Sequence, residues 1–124
     1  MVGYNYSGGT TVTLWLDGSK QTCSISTALN TVSGSVYVGS NPGGAGFNGQ
    51  IANVQMYNSS LTQNEVEALY LEGIGGAPIK LQNLLAWWPL NGNFDDYSGK
   101  NDNGALTGTS ASFNSTWSSQ YTAP

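Results

Sequence analysis

Charge is what this sequence has least of: 8 % of its 124 residues are Asp, Glu, Lys or Arg, against roughly a quarter in an average soluble domain. It has no His, one Cys, and Lys20, Lys80 and Lys100 as its only basic residues. A nucleic-acid interface needs clustered cations to displace counterions from phosphates, so a chain of net charge −4 with scattered lysines is a poor nucleic-acid binder. The same lack disfavours electrostatic docking on an anionic membrane. Without His, and with a single Cys, neither a zinc site nor a Ser-His or Cys-His nucleophile can be assembled within one chain. Cys23 has no intramolecular disulfide partner and reads as a small buried apolar side chain. An intermolecular bridge is the sharper alternative for a lone Cys in a secreted protein. No apolar run approaches the ~20 residues of a membrane span, so no membrane insertion is expected, and no signal peptide begins at Met1.

Gly, Ser, Thr and Asn fill the place of the missing charges, and aromatics reach 11 %. Disordered chains are rich in charge and poor in Trp and Tyr; short strands joined by Gly/Asn/Ser turns fit this composition better. The class expected is all-β, in one domain. Val2 to Tyr6 reads as a short strand. Thr10 to Leu16 alternates, with Val12, Leu14 and Leu16 on one face and Thr11, Thr13 and Trp15 on the other, which points Trp15 outward. Asp17-Gly18 is a two-residue hairpin turn in which both residues need positive φ, and Ser19 to Ile25 is the return strand. Further strands are expected at Ser35 to Gly39 and Gln50 to Tyr57, either side of a Gly-rich loop at Asn41 to Gly46.

One helix is expected, at about 63–72. Thr62 and Glu65 form a capping box, Leu61 and Val66 occupy hydrophobic-staple positions, and Gly73 suits the helix end. It should lie on the sheets as a lid. Gly73 to Pro78 has linker composition. Beyond it, Leu84 to Leu90 is too apolar for an exposed loop and reads as a buried strand, with Trp88 in the core beside Leu84, Ala86 and Leu90, and Trp87 ambiguous. Two weak strands, near Ala105 to Thr107 and Ala111 to Phe113, finish the chain.

Two stretches carry a family resemblance. Residues 46–70, GFNGQIANVQMYNSSLTQNEVEALY, resemble the closing signature of a laminin-G-like, concanavalin A-like module: a strand of the form F-x-G-x-I-D-D-V, an aromatic-Asn turn, then a capped helix ending Leu-Tyr. GYNYSGGT at 3–10 with LWLDG at 14–18 is similar to the hairpin that precedes it. Residues 85–104, LAWWPLNGNFDDYSGKNDNG, resemble the family's opening strand and its D-x-S-G loop. The resemblance implies an antiparallel β-sandwich, a jelly roll of the lectin/glucanase type, with its ends in reversed order. Residues 1–76 would be the family's C-terminal half, 77–83 a linker, and 84–124 its N-terminal half. A circular permutant, a chain cut across two tandem modules, and half-sandwiches exchanged between chains are the three accounts of that order.

The resemblance also implies a possible structural Ca²⁺ between the opening loop and the closing strand. Asp95, Asp96, Asp102 and Asn53 are the candidate ligands, with hard oxygens of the kind Ca²⁺ prefers. Ala52 stands where the family has an Asp. The plainer reading of Asp96 and Ser98 is that they cap turns. For a carbohydrate or surface-protein ligand the candidates are Trp15, with Tyr4, Tyr6 and Trp117, as an aromatic platform. A glycosidase would need two carboxylates about 5–5.5 Å apart, and no strand carries such a pair; Glu65, Glu67 and Glu72 fall on the helix. Three N-x-[ST] sequons, at Asn5, Asn58 and Asn114, permit glycosylation. The function expected is an extracellular or cell-surface, non-enzymatic recognition or adhesion module. The alternative is a self-assembling surface or filament subunit completed by strand exchange.

Overall fold

A computed structural model describes residues 1–29, 34–40, 45–108 and 111–113. Strands β1 (Val2–Tyr6), β2 (Thr11–Leu16) and β3 (Ser19–Ser24) form an antiparallel meander with β2 in the centre. The β2–β3 turn has Asp17 at φ 49° and Gly18 at φ 78°, the double positive φ whose twist matches that of the flanking strands. A second sheet pairs β4 (Val54–Tyr57) with β5 (Leu84–Trp88), antiparallel, with an irregularity between Met56 and Tyr57. Between them lie helix α1 (Gln63–Glu72) and a 3-10 turn at Leu81–Asn83. The regular structure of the described residues is thus mostly antiparallel strand, with one short helix.

Helix α1 starts where its cap dictates. The Thr62 amide donates to Glu65 Oε2 (2.7 Å) and the Glu65 amide to Thr62 Oγ1 (3.4 Å), so two otherwise orphaned N–H groups are satisfied reciprocally. Lys80 Nζ adds a contact to Glu65 at 3.4 Å. These hydrogen bonds, led by that from the Thr62 amide, hold the Glu65 carboxyl below its usual value. Gly73 ends the helix at φ 74°. The helix meets the β2–β3 turn: Gln63 Nε2 donates to the Gly18 carbonyl (3.1 Å), and the Tyr70 ring lies beside Gly18.

The buried apolar residues are Val12, Trp15, Val66, Leu84, Ala86 and Trp87, and this set corrects several expectations. Trp15 is 4 % exposed, not outward, whereas Leu14 and Leu16 are 40 % and 60 % exposed. Trp15 faces Gly3 across the ladder. With no side chain there the indole can lie against β1, where a Cβ would come 3.3 Å from Trp15 Cβ and 3.4 Å from its ring. Among the described residues no second sheet covers the Leu14 and Leu16 face. Cys23 is exposed, because β3 is an edge strand exposed along its whole length. Trp87, rather than Trp88, is the buried indole of β5. The described residues at 34–39, 105–107 and 111–113 form no strand, and only a Ser40–Gly46 bridge marks the region before β4.

Candidate ligand-binding cleft

β1 on one side, and β4 with α1 on the other, bound a cleft of about 900 Å³. Tyr4, Tyr6 and Trp15 all line it, but the register puts Tyr4 and Tyr6, opposite Leu14 and Val12, on one face of the sheet and Trp15, opposite Gly3, on the other. Trp117 lies outside the described residues. Their roles differ from an open aromatic platform. Trp15 is a buried wall; Tyr4 is 57 % exposed. The Tyr6 hydroxyl accepts from the Leu29 amide and donates to the Gly9 carbonyl (both 3.0 Å), fixing the loop beyond β1. Met56, Leu61, Val66 and Leu69 supply apolar wall, and Asn5, Gln55 and Asn58 supply amides. No Asp, Glu, Lys or Arg lines the cleft, and the Met1 ammonium on its rim is paired with Asp17. One polar atom stands out: Ser59 Oγ is buried there without a hydrogen-bond partner, a state that native interiors rarely leave unfilled.

The far wall of the cleft is braced by a hydrogen-bond relay. Tyr57 Oη donates to Gln55 Oε1 (2.7 Å), Gln55 Nε2 donates to Asn53 Oδ1 (3.1 Å), and Trp87 Nε1 donates to the same oxygen (2.7 Å). Asn53 Nδ2 then donates to the Gly76 carbonyl (3.0 Å). Asn53 takes φ 51°, a conformation Asn tolerates better than most residues. Burial pushes the Tyr57 phenol up to about 12, with Glu65 and Glu72 adding to the rise against a hydrogen bond from Ile79. It therefore stays a donor at physiological pH. Asn53, Gln55 and Tyr57 meet at alternate positions of one segment, whereas Trp87 joins them only when β4 pairs with β5.

The acidic loop is organised around one carboxylate. Asp96 Oδ1 accepts from the amides of Trp87 and Ser98 (both 2.9 Å), and Oδ2 accepts from Ser98 Oγ (2.8 Å) and the Asp102 amide (3.0 Å). Burial acts to raise its pKa, but the hydrogen bonds from Trp87, Ser98 and Asp102 outweigh it and hold the group below the usual Asp value. Asp95 accepts from Asn93 Nδ2 (2.8 Å), while Asp102 meets Trp88 Nε1 through its carbonyl (2.8 Å). These residues do not fit a calcium site. The four donors use the acceptor capacity of Asp96, Asn53 is committed to the relay, and Ala52 offers no side-chain oxygen. Among the described residues no three acidic, His or Cys side chains converge.

A family comparison agrees with this architecture: the laminin-G type described as the concanavalin A-like lectin/glucanases superfamily matches residues 2–67. That span is more than half of the chain, and the chain belongs to this family. The match takes in β1 to β4 and the first turn of α1; residues 85–104, which resemble the family's opening, lie beyond it. Neither the search of curated proteins nor that of solved structures found a match. Laminin-G-like domains are generally binding modules for glycans or proteins, commonly extracellular. Among the described residues no helix is long and apolar enough to cross a membrane.

Proposed function

We propose that this chain is a non-enzymatic recognition module of the cell exterior that takes an uncharged ligand, carbohydrate or surface protein, into the cleft between β1 and α1. The observation that carries the reading is the lining: tyrosines and amides, with no Asp, Glu, Lys or Arg among them. An ionic ligand entering such a cleft would lose its hydration without gaining a counter-charge. A neutral ligand can stack on Tyr4 and hydrogen-bond to the amides of the lining. Calorimetry against neutral oligosaccharides and candidate surface proteins tests this. Binding should be nearly independent of salt, and Tyr4→Ala should weaken it about tenfold, the equivalent of one good contact. Selective binding of sulfated or sialylated glycans that weakens with salt would contradict it.

A second reading, the self-assembling subunit completed by exchange, draws on the apolar face left open by Val2, Leu14 and Leu16, which are 80 %, 40 % and 60 % exposed. Against it, β4 and β5 already pair within one chain. Light scattering separates the two, since a species of 13.0 kDa excludes the exchanged assembly.

A further inference from the structure

β1 is an edge strand with an unguarded edge. Its register with β2 and the hydrogen bond from the Asp17 amide to the Met1 carbonyl (2.9 Å) set the parity of the ladder. Met1, Gly3 and Asn5 turn their main-chain groups toward β2, so Val2, Tyr4 and Tyr6 turn theirs away from it. No partner for those outward N–H and C=O groups occurs among the described residues. Natural sheets protect such edges with charge, proline, bulges or a covering loop. The free edge of β5 is covered in this way: Asp96 takes the Trp87 amide, and the Tyr97 amide donates to the Trp87 carbonyl (2.8 Å). The edge strand β3 is polar and carries Lys20. β1, reading VGYNY, has none of these devices.

The open edge runs along the cleft. On the opposite wall Gln55 stands across from Trp87, whose main-chain groups face the loop. By the alternation of an antiparallel pair, those of Gln55 point away from β5 as well. The cleft thus offers free backbone groups on both walls, apolar surface between them, and no side-chain charge. With β4 and α1 closing its far side, it suits one extended segment, next to β1 at the ~4.8 Å strand spacing, rather than the edge of another folded sheet.

We propose that β1 accepts an extended, uncharged polypeptide segment of a partner protein as a fourth strand of the β1–β3 sheet, laid in this cleft. The inference rests on the recognition-module reading and names its partner class. Main-chain hydrogen bonds to Val2, Tyr4 and Tyr6 would supply affinity, and alternate side chains would supply specificity. A segment with Lys, Arg, Asp or Glu facing the cleft would be rejected, because nothing there balances the charge.

The test titrates the full chain with a blocked heptapeptide of alternating Thr and Val. Its twin, N-methylated at every second amide, and a set of neutral oligosaccharides run in parallel. The parent peptide should bind, and the twin methylated on the pairing edge should bind at least about tenfold more weakly, one hydrogen bond's worth or more. Tyr4→Pro removes an outward N–H that the β2 ladder does not use, a place where an edge strand tolerates proline; it should cost a similar factor. Tyr4→Val loses the ring but keeps the N–H, so Tyr4→Pro should bind more weakly than Tyr4→Val by that factor. If Tyr4→Pro fails to fold by circular dichroism, the methylated peptide carries the test on the unaltered chain. Equal binding of both peptides, or none of either, overturns the proposal. Oligosaccharide binding without peptide binding would leave the recognition reading standing and remove strand addition. A doubling of mass without peptide binding would assign the edge to a second copy and also overturn it.

Discussion

The Asp96 carboxylate takes four donors from three segments of chain, joining the acidic loop to β5. Asp96→Ala strands the Trp87, Ser98 and Asp102 amides. It should cost about 2 kcal/mol, the scale of a lost charge-assisted hydrogen bond plus partly desolvated donors, read from the midpoint of urea unfolding. The pH dependence follows in sign. The folded-state pKa of Asp96 is depressed, so its contribution is fully present above the unfolded-state value. It is lost as pH falls through the folded one. Urea midpoints taken from about pH 7 down to about pH 3 should therefore drop on the acid side, and Asp96→Asn should flatten that drop. Because Asp96 is already saturated, about 1 mM CaCl₂ should leave the thermal midpoint unchanged; a rise of several degrees would mean that the loop reorganises around the ion.

At the scale of elements, α1 is the clearest case of sequence chemistry setting a boundary. Its box closes between Thr62 and Glu65 as the spacing requires. Thr62→Ala should lower stability by about 1 kcal/mol, while Thr62→Ser should lose little, measured by thermal unfolding. The β2–β3 hairpin was equally legible, since Asp17-Gly18 takes the two positive φ values that its residue types favour. Other strand expectations failed. Residues 35–39 and 105–107 have strand-like composition but no described partner strand. Composition alone does not supply the ladder hydrogen bonds that make a strand.

For the whole molecule, an uneven core follows from two small sheets. Among the described residues the buried core is Val12, Trp15, Val66, Leu84, Ala86 and Trp87, with Pro78 and Pro89, while Val2, Leu71 and Leu81 are 80 %, 81 % and 67 % exposed. That distribution predicts a marginal fold that a ligand in the cleft should stabilise: a partner present at about 100 times its dissociation constant should add ~2.7 kcal/mol. A thermal shift with any cleft ligand checks this, and a bound ligand that gives no shift would place binding elsewhere or equally on the unfolded chain. The candidate site was half legible. Tyr4, Tyr6 and Trp15 were identifiable as strand aromatics. Gln55 and Ser59 were not, because their significance depends on α1 and β1 standing across from them.

The sequence by itself determined the class of fold, the capped helix, the two-residue hairpin turn and the absence of cationic or His-based chemistry. Each depends on residue type and on neighbours a few positions away. Tertiary structure decided which face of β2 turns inward, which indole of β5 is buried, and which amides the Asp96 carboxylate accepts from. An alternating strand defines two faces without saying which one will be covered. That choice rests on Gly3 opposite Trp15 and on α1 closing beside it, contacts between segments far apart in the chain. The open edge of β1 belongs to the same level, since only the pairing of β1 with β2 reveals that its other side has no partner among the described residues.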